Sequence, residues 1–237
     1  MDCVVKNRIA IILARGGSKR LPRKNIIDFG GKPLLAWSVV AALESEQFDE
    51  VLVSTDDEEI AQVALKYGAE VPFLRLEAAD DISSSSEATC VALLQAEEYW
   101  QTTFDVVAQL MANCPLRTAQ DVRNSISAFD KNTAPSQISC FSFGWMNPWW
   151  AVRLKDDGKP QHIFPEALKT RSQDLPELYC PTGALWIANR DALIGSRDFY
   201  MEGHSFEPIH WLSAVDIDDE DDLLMAKVCL GLRNCHN

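Results

Sequence analysis

The stretch IAIILARGGSKRLPRKN, Ile9 to Asn25, joins a short apolar run to a loop rich in glycine and cations. Ile9–Ala14 has the length and composition of a buried strand. Behind it come Gly16, Gly17 and five cations, Arg15, Lys19, Arg20, Arg23 and Lys24, with no Asp or Glu before Ile27. The chain of 237 residues carries a formal net charge of −13, so this cluster runs against the general trend. The loop is either the seat of an anion or a solvated basic turn.

Downstream, apolar runs alternate with amphipathic segments. PLLAWSVVAALES (Pro33–Ser45) reads as a helix and EVLVST (Glu50–Thr55) as the next strand. DDEEIAQVALKYGAE follows, with an acidic first turn and a glycine stop at Gly68, which are helix start and end signals. VPFL (Val71–Leu74) is predicted as a third strand and SSEATCVALLQAEEYW as a third helix. DVVAQLM (Asp105–Met111) is a fourth strand, and TAQDVRNSISAFD the helix after it. This order predicts an α/β fold: a mostly parallel sheet with helices on both faces and right-handed crossovers. Ligands of such sheets bind beyond the carboxyl ends of the strands, which is where the cationic loop begins. Its position favours phosphate binding over a merely basic turn.

The pattern breaks between about residues 143 and 181, where WMNPWW, KDDGKP, FPE and RSQDLPELYCP bring five prolines. We expect an excursion from the sheet there, a hairpin plus a short helix, within a single domain spanning 1–237. Its tryptophans suit either a core or a subunit interface. The chain is expected to return in strands GALWIA (Gly183–Ala188) and SAVDID (Ser213–Asp218), with a closing helix from Asp219.

Composition excludes several classes. At 47% hydrophobic and 24% charged residues the chain is an ordered globular protein rather than a disordered one. No apolar run approaches the ~20 residues of a membrane span, and the N-terminal run is too short for a signal peptide. Seven cysteines without a C-x-x-C pair predict reduced thiols in a cytoplasmic protein. The four histidines lack a ligand spacing, which argues against zinc, and the acidic balance argues against nucleic acid.

Two constellations carry chemistry. Gly16 and Gly17 let the backbone approach a ligand closely, and Ser18 with the neighbouring cations suits phosphate oxygens. Neither a P-loop nor G-x-G-x-x-G is present. The second is VDIDDEDD (Val215–Asp222), where strand alternation would put Asp216 and Asp218 on one side. Two such carboxylates suit a hard cation such as Mg2+, while Asp219–Asp222 suit the start of the last helix. A triphosphate site needs both cations and a metal. SSSS at 83–86 is read either as a nucleoside contact or as a helix cap, and Arg117 either as a site residue or as a plain surface residue.

LARGGSKRLPRKNI resembles the N-terminal signature of the acylneuraminate cytidylyltransferases, the CMP-sialic acid (CMP-nonulosonic acid) synthetase family. The likeness continues through GKPLLAWSV, FDEVLVSTDDEEIAQVALKYGAEVPFLR, CPLRTAQDV, RSQDLPELY, TGALWI and VDIDDEDDLLMAK, nearly the whole chain. It implies a Rossmann-like nucleotide-binding sheet of the nucleotide-diphospho-sugar transferase type and a homodimer formed through the 143–181 insertion. It also implies transfer of CMP from CTP to the anomeric 2-hydroxyl of a nine-carbon α-keto acid sugar, with Mg2+ and release of pyrophosphate.

Carried over residue by residue, the resemblance assigns Arg15, Gly17, Ser18, Lys19, Lys24 and Asn25 to CTP. Arg75 and the Ser83–Ser85 backbone would hold the cytosine. Asp216 and Asp218 would bind the metal, and Arg15, Lys24 and Asp218 would act in the in-line step, Asp218 near the attacking hydroxyl. The candidate sugar-binding set is Met111, Asn113, Arg117, Arg171, Gln173, Thr182 and Gly183. Met111 begins MANCPLR, where the neuraminate branch shows Q-P-T-S-P-L-R, and Thr182 stands in place of an asparagine. RSQDL is nearer the pseudaminic acid branch, whose H-D-A-G motif is absent. The alternatives are a CMP-Kdo synthetase, acting on an eight-carbon acid, and a sugar-nucleotide-binding protein without turnover. Neither nucleic acid nor a membrane is expected as a partner.

Overall fold

The computed structural model describes residues 6–75, 84–144 and 146–235, with side chains to Arg233. In chain order the strands are β1 (Arg8–Leu13), β2 (Asp28–Phe29), β3 (Lys32–Pro33), β4 (Glu50–Ser54), β5 (Val106–Met111), β6 (Ser136–Ser142), β7 (Val152–Leu154), β8 (Pro160–His162), β9 (Tyr179–Asn189) and β10 (Ser205–Pro208). The α-helices are α1 (Leu34–Ser45), α2 (Glu58–Lys66), α3 (Ser85–Trp100), α4 (Ala119–Lys131), α5 (Arg190–Ser196) and α6 (Glu220–Cys235).

Six strands form the central sheet in the order β10-β6-β9-β5-β1-β4. β1 pairs in parallel with β4 and β5, and β10 with β6, whereas β9 runs antiparallel to both β5 and β6. Strand alternation sorts the core into two layers. Ala10, Ile12, Val53, Ala108 and Leu110 face α1, α2 and α4, packing on Leu35, Val39, Ile60, Val122 and Phe129. Ile9, Ile11, Leu52 and Val107 face the other way, onto Leu93 and Ala96 of α3 and Leu193 of α5. Each fully buried large side chain contributes about 2 kcal/mol by leaving water. Helices therefore cover both faces, as the alternating sequence predicts.

The helix starts have side-chain reasons. Asp57 caps α2 by accepting from the N–H groups of Glu59 and Ile60, and Ser84 caps α3 by accepting from Glu87. Thr118 and Asp121 form a reciprocal capping box on α4. Asp219 accepts from the N–H of Asp222, whose own carboxylate accepts from the N–H groups of Asp218 and Asp219, so the acidic run starts α6 as expected.

Two expected strands are absent. Val71–Leu74 forms no ladder: Pro72 has no N–H to give, and only Glu70 bridges to Leu52. Ser213–Asp218 is not a strand either; Trp211–Ala214 is a 3-10 turn and residues 215–217 run on without a partner strand. Val215 and Ile217 still turn inward, onto Leu21, Phe29, Leu116 and Ala226. The excursion does contain a hairpin, β7–β8, but its short helices at Pro148–Trp150, Pro165–Lys169 and Ser172–Asp174 are 3-10 turns.

Candidate active site

The carboxyl ends of β1 and β5 lie side by side, Leu13 opposite Met111, and a cleft of about 470 Å³ opens above them. Arg15, Ser18, Lys19, Arg20, Lys24 and Asn25 line one side, and Arg75, Ser84, Ser85 and Ala88 another. Met111, Ala112, Asn113 and Asp218 complete it. Most of the nucleotide-directed set is thus brought together. Gly17 is exposed at the loop, and Ser83 lies outside the described residues.

The loop is built on local contacts. The Ser18 N–H donates to the Gly16 carbonyl at 3.0 Å, making a tight turn. Buried Asn25 donates its side-chain amide to the Arg15 carbonyl at 2.8 Å, tying the two ends of the loop together. The left-handed residue of the loop is Arg23, at φ 57°, rather than either glycine. Of the five cations, Arg23 turns away: its guanidinium forks onto Asp57 and Glu59 at the start of α2.

Opposite the loop stands Asp218. Lys24 Nζ donates to its Oδ1 at 2.8 Å, and Arg20 donates to its Oδ2 at 2.5 Å. Asn113 fixes the same segment: its side-chain amide donates to Asp218 Oδ1 at 3.3 Å and to the Ile217 carbonyl at 3.2 Å. Its own carbonyl accepts from the Ile217 N–H at 2.9 Å. Partial burial opposes the charge on Asp218, but the hydrogen bonds and charges of Lys24 and Arg20 outweigh it and hold the carboxyl below its ordinary range. Asp216 shifts the other way. Its side chain is exposed, yet the surrounding protein strips away water and Asp218 and Asp222 add negative charge, raising its pKa. Asp216 does not line the cleft.

Met111 does line it, and its conformation has a cause. A Cβ on Gly183 of β9 would fall 2.8 Å from Met111 Cγ, so only glycine leaves room for this side chain. Beneath it, buried Gln109 donates to Met111 Sδ at 3.8 Å and accepts from Thr89 at 2.6 Å. Among the sugar-directed candidates, Met111 and Asn113 line the cleft and Gly183 supports it. Thr182 is buried and donates to the Ala214 carbonyl at 3.2 Å. Arg117 is buried rather than superficial, donates to the Ala184 carbonyl, and has its pKa lowered to about 10 by desolvation. Arg171 and Gln173 are exposed in the excursion, where Arg171 pairs with Asp174 at 2.7 Å, and neither lines this cleft.

A cationic loop facing an acidic segment at the ligand edge suits a nucleoside triphosphate. Comparison with known proteins agrees: residues 9–176 match the family model described as cytidylyltransferase. The chain belongs to the cytidylyltransferase family. It is 38% identical over 225 residues to a pseudaminic acid cytidylyltransferase of Campylobacter jejuni subsp. jejuni, covering 93% of this chain and 94% of that protein. It is 34% identical to a CMP-N,N'-diacetyllegionaminic acid synthase of Legionella pneumophila, covering 94% and 96%. Among solved structures, a CMP:2-keto-3-deoxy-manno-octonic acid synthetase complexed with CTP matches with a TM-score of 0.70 at 17% identity, over 96% of this chain and 99% of that one. That likeness concerns the fold. This cytidylyltransferase is thus a nucleotidyltransferase related to CMP-sugar synthetases. No helix among its described residues is long and apolar enough to cross a membrane.

Two features escaped the sequence reading. Arg20 reaches Asp218, and Asp56 accepts the Gly16 N–H at 2.8 Å. Both join residues far apart in the chain, and only the acidic pair directly behind Thr55 hinted at the second.

Proposed function

We propose that this cytidylyltransferase transfers CMP from CTP to the anomeric 2-hydroxyl of a nonulosonic acid, releasing pyrophosphate. The observation that carries the reading is the convergence of Arg15, Lys19, Arg20 and Lys24 with Asp218 around one cleft at the carboxyl ends of β1 and β5. Names of the relatives, pseudaminic and legionaminic acid enzymes, support the sugar class. Its free thiols suit a cytoplasmic setting; Cys90, Cys114, Cys140 and Cys229 are buried.

Arg15, Lys19 and Lys24 neutralise the triphosphate and the charge that builds on departing pyrophosphate. Ser84, Ser85 and Arg75 bound the wall that takes the nucleoside. A triphosphate competes with Asp218 for Lys24 and Arg20. Once it takes them, the Asp218 oxygens are released from those ion pairs and one of them can meet the 2-hydroxyl and accept its proton. Asn113 keeps that carboxylate in place throughout.

Magnesium fits the donor set. Among the described residues no three His, Cys, Asp or Glu side chains converge, so there is no all-protein cage. Asp218 is a hard oxygen donor in the cleft, Asp216 adds negative charge to it from just outside, and Mg2+ is commonly held by one or two carboxylates plus phosphates. Bound there, it would supply charge neutralisation at the reacting phosphate.

Met111 sets the sugar. A thioether offers neither the donors nor the carbonyl of a glutamine but packs well on a methyl or deoxy carbon. A 7,9-diamino-dideoxy acid, pseudaminic or legionaminic, is expected to exceed N-acetylneuraminic acid by about 10-fold in kcat/KM. Pyrophosphate release from CTP across these acids and Kdo tests the reading. Met111→Gln should shift preference towards N-acetylneuraminic acid with the KM for CTP unchanged. Strong wild-type preference for N-acetylneuraminic acid or Kdo would overturn the assignment.

The same reading makes the protein a homodimer through the 143–181 excursion. Every residue from 151 to 163 is exposed, including Leu154 at 70%. A lone two-stranded hairpin is marginal in water, and Trp150, Val152, Leu154 and Ile163 leave it with apolar surface for a second copy. Light scattering should give a dimer that Leu154→Glu weakens; a monomeric wild type would refute this.

A further inference from the structure

One carboxylate outside the cleft fastens both ends of the phosphate loop. Asp57 Oδ1 accepts from the N–H groups of Glu59 and Ile60, each at 3.0 Å, as the cap of α2. The same carboxylate receives both terminal nitrogens of Arg23, Nη1 on Oδ2 and Nη2 on Oδ1 at 3.2 Å. At the other end of the loop, a Cβ on Gly16 would lie 2.7 Å from Asp57 Oδ2 and 3.0 Å from Asp57 Cβ. Glycine is needed there because the backbone rests directly on Asp57. Asp56 secures the same point by accepting the Gly16 N–H at 2.8 Å.

Arg23 is also the left-handed residue of the loop, an uncommon conformation for a side chain of this size. Its fork on Asp57 and Glu59 offsets that cost and leads straight into Lys24 and Asn25, which line the cleft. Neither Asp57 nor Arg23 lines the cleft itself.

We propose that Asp57, through its ion pair with Arg23 and its packing on Gly16, is a positioning residue that sets the shape of the phosphate loop before the nucleotide arrives. This rests on the loop being the triphosphate seat. A helix cap alone would need no arginine, and an arginine aimed at phosphate would not turn back to α2. Pre-ordering the loop lowers the entropy lost when the triphosphate binds, so the effect falls on nucleotide affinity.

Asparagine is a good helix cap, so Asp57→Asn keeps α2 while removing the charged fork. Asp57→Asn and Arg23→Gln should each raise the KM for CTP about fivefold, the size a partly exposed bidentate pair supplies. The KM for the sugar acid should stay within about twofold, and the double variant should be no worse than either single one. Trypsin cleavage after Lys19 and Arg20 in nucleotide-free Asp57→Asn should be several-fold faster than in wild type, with the melting temperature nearly unchanged. That measurement needs no turnover, so it reads the clamp even if every sugar fails as substrate. Effects that multiply in the double variant, or a fall in melting temperature with an unchanged KM for CTP, would overturn the proposal. Equal trypsin rates would do the same.

Discussion

Arg15→Ala is expected to lower kcat/KM by about 100-fold or more, the usual loss when one charge stabiliser leaves a group-transfer site. The residue follows the carboxyl end of β1 and lines the cleft, so its loss falls on the reacting phosphates rather than on the core. Its backbone carbonyl, which holds Asn25 at 2.8 Å, remains in the variant and keeps the loop tied. Melting temperature should therefore barely move. Steady-state kinetics beside a thermal melt checks both halves. A folded variant with normal turnover would remove the loop from the mechanism.

Substitution of the acidic segment separates three aspartates that look alike in sequence. Asp218→Asn should reduce turnover by about 100- to 1000-fold and raise the Mg2+ requirement, because it lines the cleft and meets Lys24 and Arg20. Asp216→Asn, one step removed from the cleft, should cost about 10-fold, as for a group that tunes a metal site from outside. Asp221 is exposed in the first turn of α6, and Asp221→Asn should stay within about twofold. A magnesium titration of the three variants reads the order. Equal losses at all three positions would mean that general acidity, not a site, is being measured.

The acidic body of the chain gives the Lys24–Asp218 and Arg20–Asp218 pairs a second consequence. With a formal charge of −13, the protein repels a triphosphate except where the loop concentrates its cations. Asp218 keeps two of those cations compensated until a stronger anion displaces it. On the proposed function, this exchange would favour a ligand of high charge density.

Much of the fold was readable because local signals agreed with the final packing. In β1, β4 and β5 short apolar runs lie in the sheet core, and Asp57, Ser84 and Thr118 are side-chain caps at the expected helix starts. β6 went unread because Ser136, Gln137 and Ser139 are buried polar residues satisfied by Phe199, Ser125 and Thr182 carbonyls. No apolar alternation marks such a strand. The antiparallel direction of β9 depends on where the excursion returns the chain, which no local pattern records. Val215 and Ile217 mimicked a strand because a chain packed on one side alternates its burial even without a ladder.

At the site, residue types were legible and partners were not. Five cations in one loop announced an anion, but Arg23 is spent on Asp57 and Glu59. The ion pair of Lys24 with Asp218 spans 194 positions, beyond any spacing rule. Arg117 sat in a motif at the ligand edge yet folds inward onto Ala184. These are consequences of tertiary packing.

Phosphorus NMR of one reaction tests the central claim most directly. Protein, CTP, Mg2+ and pseudaminic or legionaminic acid are mixed, and the phosphate resonances are followed to completion. The account predicts that the CTP signals give way to a single CMP-sugar phosphodiester and an equal amount of pyrophosphate, with no change when the sugar is omitted. Unconsumed CTP with every nonulosonic acid, or pyrophosphate accompanied by free CMP whether or not sugar is present, would contradict it.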